Sequence, residues 1–318
     1  MKKFLAIMLS LMLLTGLFPC AGVAESKPLT VVTTIFPIYD WARQIIGENG
    51  NTNLVLLLDN GVDLHSYQPS AQDIMTISTA DLFIYVGGES DEWVEDVLES
   101  AMNPDLVAIS LTEAMVEDLK EEEIVEGMQH DHDHEHEHED EYDEHVWLSL
   151  RNARKLTVAI AEALAGIDAA NADAIRENAA AYDAQLQELD AKYTETVENA
   201  ALKTVVFGDR FPFRYMTDDY GLTYYAAFTG CSAESEASFE TIAFLAGKAD
   251  ELNLPAVLTI EGGNHKIADT VISASAKAGR KVLTMNSMQS VTADDVKNGM
   301  TYLSIMEENL TVLKEALN

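Results

Sequence analysis

Apolar runs and amphipathic stretches alternate along most of the chain. Leu29 to Thr34 is a short, β-branched run of the kind that becomes a buried strand, and Tyr39 to Gly47 repeats at helical spacing before closing on glycine. Leu54 to Leu58 is a second apolar run, followed by the polar loop Asp59 to His65. Ala71 to Thr79 predicts a helix, Asp81 to Val86 a strand ending at Gly87-Gly88, and Leu106 to Ser110 a further strand. A second series begins after residue 203. It has strands at Thr204–Phe207, Tyr224–Phe228, Ala256–Ile260 and Lys281–Met285, and helices near Tyr215 and over Phe239–Leu252, His265–Ala278 and Val296–Leu317. Strands that alternate with helices predict an α/β protein with parallel sheets and helices on their faces.

Between the two series lies Asn171 to about Leu202, rich in Ala, Glu and Gln and free of Pro and Gly. A stretch of about 30 residues makes a rod of roughly 45 Å, long for a domain helix, and is best read as a rigid connector. The expected architecture is two lobes, each a small, mostly parallel sheet with flanking helices, joined by one long helix. Its segments are a leader at 1–24, an N-terminal lobe at 25–170, the connector at 171–202 and a C-terminal lobe at 203–318. Such a pair places a ligand in the cleft between lobes, at the carboxyl ends of the strands.

Two segments break the pattern. Lys2-Lys3 followed by the apolar run Phe4 to Phe18 has the layout of an export signal. Two processing points fit it: cleavage after Ala24, or lipid attachment at Cys20, so the protein is expected in the periplasm or at the cell surface. The second segment, Glu117 to Glu144, is almost wholly acid and histidine. With so little apolar surface to bury, it predicts a disordered loop within the first lobe.

Composition narrows the partners. The 318 residues carry 54 acids against 20 Lys and Arg, a formal charge of −34. Such a surface repels nucleic acid and attracts cations. Cys20 and Cys231 are the two cysteines. With Cys20 in the leader, Cys231 has no disulfide partner and reads as a small buried hydrophobe rather than a ligand.

The eight histidines are His65, His145, His265 and five in the acidic loop. The first three each fall at a strand end or a helix start, where a cleft site would lie. Neutral imidazole suits zinc and its neighbours, and a carboxylate offsets the cation's charge. Imidazoles alternating with acids from His130 to His138 would form many weak, exchangeable sites that raise the local metal concentration. His134-Glu135-His136-Glu137-His138 also fits the H-E-x-x-H spacing of zinc proteases, but that motif needs a packed helix, which this low-complexity stretch cannot supply.

The segments Gly61-Val62-Asp63-Leu64-His65-Ser66-Tyr67-Gln68-Pro69-Ser70, Asp143-Glu144-His145-Val146-Trp147-Leu148 and Asp219-Tyr220-Gly221-Leu222 resemble the metal-binding solute receptors of ABC transporters, above all the zinc-uptake type. The resemblance runs from about Leu29 to the C-terminus. It implies a non-enzymatic, monomeric receptor that holds a metal between its lobes and delivers it to a membrane permease. By this resemblance His65 and His145 are the first two ligands. The third is expected five residues before a tyrosine, which gives Arg210, and the fourth falls at Asn286.

A guanidinium stays protonated and cannot ligate a cation. The nearest replacements are Asp209 and Glu261, with His265 in reserve, so the expected set is His65, His145, Asp209 and Glu261. Two nitrogens and two oxygens suit zinc and also manganese or iron, and the histidine-rich loop favours zinc. Affinity should fall as pH drops below the histidine range. Rival readings are a manganese, iron or metal-chelate receptor, with Arg210 gripping the chelate, or a zinc hydrolase. A surface metal buffer or adhesin without a permease is a third.

Overall fold

The computed structural model describes residues 27–48, 51–129, 142–232 and 236–318. The expected leader with Cys20, and the histidine run from His130 to His138, lie outside the described residues. Eight strands form two sheets of four, ordered β2-β1-β3-β4 and β6-β5-β7-β8. The first contains β1 (Leu29–Thr33), β2 (Thr52–Leu56), β3 (Leu82–Tyr85) and β4 (Val107–Ser110), and the second β5 (Thr204–Phe211), β6 (Thr223–Thr229), β7 (Ala256–Ile260) and β8 (Lys281–Met285). Every pairing is parallel. In both sheets the strand order reverses beside the first strand, so each has a switch point at its carboxyl edge, and these edges carry the cleft.

The flanking helices begin with α1 (Phe36–Ile46), α2 (Ala71–Ser78), α3 (Trp93–Glu99), α4 (Leu111–Ala114) and α5 (Leu150–Ile167). The connector is α6 (Ala172–Asn199), whose 28 residues span about 42 Å. Its buried residues Ile175, Ala179, Tyr182, Leu186, Leu189, Tyr193 and Val197 recur every three or four positions. One stripe therefore faces the protein, and α6 lies packed along α1, α5 and the last helix instead of standing free.

In the second lobe follow α7 (Arg214–Tyr220), α8 (Phe239–Glu251), α9 (Lys266–Ala274), α10 (Ala293–Lys297) and α11 (Tyr302–Ala316). The single helix expected over Val296–Leu317 is thus two, broken at Gly299, whose φ of 91° lies in the left-handed region that glycine tolerates. The strand expected to end at Phe207 continues to Phe211 through an irregularity between Phe207 and Arg210. That bulge carries Asp209 and Arg210 on the strand itself.

The lobes are not independent bodies. One apolar cluster runs through both, from Val31, Trp41 and Trp147 to Phe207, Met285 and Leu313. A smaller cluster, including Val206, Leu245 and Val271, fills the space under α8 and α9. Asp40 of α1 accepts the Tyr302 N–H that opens α11 at 2.8 Å, and Tyr193 of α6 donates to the Met306 carbonyl at 2.7 Å. Removing a fully buried Trp from such a core costs about 3–5 kcal/mol, so Trp147→Ala would loosen both lobes at once.

The described margins of the acidic segment contradict the expectation of disorder. The Lys120 N–H donates to Tyr215 Oη at 3.1 Å, and the Gln129 N–H to the Ala227 carbonyl at 2.9 Å. Met128 is buried, and Leu119 and Val125 pack against the core. A few apolar residues and acceptors supplied by the opposite lobe order what composition alone would leave loose.

Candidate metal centre

His65 rides on a single turn, Leu64–Ser66, whose first N–H groups need an acceptor. Asp63 supplies it, its Oδ1 accepting the His65 N–H at 3.0 Å. Leu64 is buried beneath the turn. His145 opens another turn, Val146–Leu148, all three of whose side chains are buried. Asp143 Oδ1 accepts both the His145 backbone N–H, at 2.8 Å, and its ring Nδ1–H, at 2.9 Å. Two residues on, Trp147 donates its ring N–H to the Ser287 carbonyl at 3.0 Å, and its own carbonyl accepts Tyr302 Oη at 2.7 Å. Both partners belong to the second lobe, so the turn that aims His145 is held from across the cleft.

The two rings meet tip to tip. Their Nε2 atoms are 3.2 Å apart, while each Nδ1 faces away, to Asp143 in one case and to Ser90 Oγ at 2.7 Å in the other. A ring that donates from Nδ1 presents a lone pair at Nε2. Two lone pairs at this separation repel unless a proton or a cation lies between them. Zinc–nitrogen bonds of 2.0–2.1 Å at the tetrahedral angle set two nitrogens about 3.3 Å apart, which is the gap found here.

Cys231 is the third member. A sulfur of Cys231 and nitrogens of His65 and His145 all lie within 4.8 Å of one another, and among the described residues no other Asp, Glu, His or Cys joins them. Zinc–sulfur bonds of about 2.3 Å would require an inward movement on the order of 1 Å. Cys231 follows β6 in the turn after Gly230. A Cβ on Gly230 would stand 2.9 Å from His145 Cε1, so glycine is what lets this turn approach the ring. The Cys231 N–H donates to Glu122 Oε1 at 3.2 Å, tying the sulfur's turn to the ordered margin of the acidic segment.

The electrostatics favour neutral imidazole and protonated thiol until a cation arrives. Burial, then the neighbouring His145, pushes His65 down to about 3. Burial, then Glu122, Asp143 and Glu144, pushes the Cys231 thiol far up, with the Glu144 backbone N–H opposing. Burial likewise raises Glu122 and Glu144. A bound divalent ion reverses this logic and deprotonates a coordinating thiol outright.

The other expected ligands sit elsewhere. Asp209 Oδ2 accepts from Thr259 Oγ1 at 2.5 Å and the Ile260 N–H at 3.2 Å, and its Oδ1 accepts the Arg210 N–H at 2.9 Å. Glu261 accepts from the Ser287 N–H and hydroxyl at 2.6 and 2.8 Å and from the Gln289 N–H at 3.0 Å. Both carboxylates thus stay outside the three-donor group, because strand-end backbone and hydroxyl donors already hold them. His265, with a left-handed φ of 54°, sets its Nδ1 3.2 Å from Thr259 Oγ1. Asn286 Oδ1 accepts the Met288 N–H at 2.8 Å, and Asn309 clasps its backbone.

Arg210 reaches over the cleft to pair with Asp63, the residue that caps the His65 turn. With Asp209, Glu261, His265 and Lys266 this pair lines a chamber of about 550 Å³. Cys231, set aside in the sequence as a small buried hydrophobe, is thus a member of the group. Its signal was positional: a thiol just past a strand end beside glycine.

Comparison with known proteins places the chain in a family. The family model for the periplasmic zinc-uptake complex component A, ZnuA, matches residues 31–316. The chain is 33% identical over 316 residues to the zinc-binding lipoprotein AdcA of Streptococcus pneumoniae, a match covering 99% of this chain and 61% of that protein. It therefore spans less than two thirds of that relative's length. Against the high-affinity zinc uptake system protein ZnuA of Bacillus subtilis it is 32% identical over 302 residues, covering 93% of this chain and 90% of the other. Among solved structures, the Zn(II)-bound ZnuA-like domain of Streptococcus pneumoniae AdcA aligns with a TM-score of 0.71 at 29% identity, covering 91% of this chain and 98% of that one.

Proposed function

The chain belongs to the ZnuA family of zinc-uptake components, and from that premise we propose that it is a non-enzymatic, extracytoplasmic receptor that captures Zn(II) between its lobes and delivers it to the permease of an ABC importer. The observation that carries this reading is the meeting of His65 Nε2 and His145 Nε2 at 3.2 Å, with Cys231 completing the group. Two imidazoles and a thiol form a borderline-soft donor set. It suits zinc and places manganese, which prefers oxygen donors, at a disadvantage.

Capture begins with a largely enclosed trio, His145 buried and His65 and Cys231 partly so. The cation displaces the thiol proton, and the thiolate offsets half of its charge. Asp143 holds the far nitrogen of His145 throughout. The Arg210–Asp63 ion pair closes the mouth of the site against the chamber, and the Asp63 cap fixes the His65 turn behind it. With α6 packed along its length and one core running through both lobes, loading needs side-chain and turn adjustments more than hinge closure. Cys20 is the residue through which such a receptor would be lipid-anchored, and loss of the membrane-bound fraction in Cys20→Ser would show it.

The test is a zinc titration of chelator-stripped protein, with residues 130–141 replaced by a neutral linker so that only the ordered site is read. One saturable zinc per chain is expected. Free zinc at a hundred times Kd should add about 2.7 kcal/mol of stability, read as a rise in melting temperature. No saturable binding and no thermal shift would rule the reading out.

A further inference from the structure

Asp143, Glu144 and His145 are consecutive, and Asp143 holds the far nitrogen of His145. The far nitrogen of His65 has a carboxylate nearby as well. His65 Nδ1 is 2.7 Å from Ser90 Oγ and 4.0 Å from Glu144 Oε2. Glu144 is a buried side chain, 3% exposed. Its Oε1 accepts the Ser90 N–H at 2.9 Å, while its Oε2 is buried without any hydrogen-bond donor. The backbone makes room for this carboxylate. Gly88 has φ of 89°, and a Cβ there would stand 2.5 Å from Glu144 Oε1.

We propose that Glu144 is a positioning residue for the cation site, the carboxylate that takes the His65 Nδ1–H when metal loads at Nε2. This deepens the zinc reading and rests on it. A cation at Nε2 withdraws charge from the ring and makes Nδ1–H a stronger donor, which favours a charged acceptor over a hydroxyl. Closing 4.0 Å to an ordinary hydrogen bond takes a ring displacement on the order of 1 Å, similar to the movement that brings Cys231 inward. The orphaned oxygen is then satisfied only in the loaded state. One tripeptide thereby orients both imidazoles, Asp143 serving His145 directly and Glu144 serving His65.

The test uses the whole chain and zinc, with affinity read by competition against a chelator. Glu144→Gln keeps an acceptor for the Ser90 amide but removes the charge, and it should weaken zinc binding about 10- to 100-fold. In a His65→Ala background the same change should alter affinity less than about twofold, because the carboxylate acts through the ring. Equal losses in both backgrounds would assign Glu144 a merely structural role and overturn the proposal, as would Glu144→Gln binding zinc like the unmodified chain. Glu144→Asp gives a second check should Glu144→Gln fold poorly. It keeps the charge, so affinity nearer to the parent than that of Glu144→Ala supports the proposal, and a loss equal to that of Glu144→Ala would overturn it. Failure of the unmodified chain to bind zinc would be seen first, in the parent titration, and counts against the function itself.

Discussion

The two banks of the cleft use their polar groups in opposite ways. On the first lobe, His65 and His145 are each held by the far nitrogen and turn the near ones toward each other, tip to tip at 3.2 Å. On the second, Asp209 has its oxygens filled by donors from Thr259, Ile260 and Arg210, and Glu261 by donors from Ser287 and Gln289. A carboxylate saturated by its own strand ends braces the lobe. An imidazole anchored from behind is ready for a cation. The second lobe's member of the three-donor group is instead Cys231, on the turn after β6.

The largest expected effects separate these roles. His145→Ala or Cys231→Ala should lower zinc affinity by about 100-fold or more, since outer partners alone account for 10–100-fold. Asp209→Asn and Glu261→Gln should leave affinity within about threefold while lowering stability by roughly 1–3 kcal/mol, because each leaves buried donors poorly matched. Chelator competition beside thermal melts checks both halves. Affinity loss without destabilisation in Glu261→Gln would return it to the ligand set.

Next comes pH. The His65 pKa, lowered by burial to about 3, leaves its ring neutral well below the ordinary histidine range, so His65 does not set the acid limit expected from sequence. The partly buried Cys231 thiol, pushed up, keeps its proton until zinc displaces it. One proton leaves per zinc bound, so affinity should rise about tenfold per pH unit between pH 6 and 8. Cys231→Ala should flatten that slope, and isothermal titration in buffers of different ionisation enthalpy counts the proton.

Arg210→Gln breaks the pair that joins the cleft's banks at Asp63. A partly exposed ion pair is worth up to about 1 kcal/mol, so zinc release should quicken by about fivefold, read by stopped-flow transfer to a chelator. Smallest of all, replacing residues 130–141 with a neutral linker should change equilibrium affinity less than about twofold, because His65, His145 and Cys231 all lie outside that run. Its expected effect is on the rate of capture from dilute zinc, read by stopped flow.

Much of the architecture was legible in the chain because apolar runs such as Leu29–Thr34 and Ala256–Ile260 end at turns or glycines, and periodicity marks α6 plainly. His65 and His145 were legible too, each beside an acid that orients it. Cys231 was not, for it is 86 positions from His145 and no spacing rule links a lone thiol to distant imidazoles. Asp209 and Glu261 stand apart from the three-donor group for the converse reason. Their place at strand ends is visible in sequence, but the donors that occupy them come from other strands and turns. Helix breaking at Gly299 and order in the acidic margins likewise depended on contacts across the fold.

The most direct measurement is X-ray absorption at the zinc edge on the one-to-one complex of the linker-replaced chain. One sulfur at about 2.3 Å with two nitrogens at about 2.0–2.1 Å is the result expected of His65, His145 and Cys231. A first shell of nitrogen and oxygen alone, with no sulfur, would contradict it.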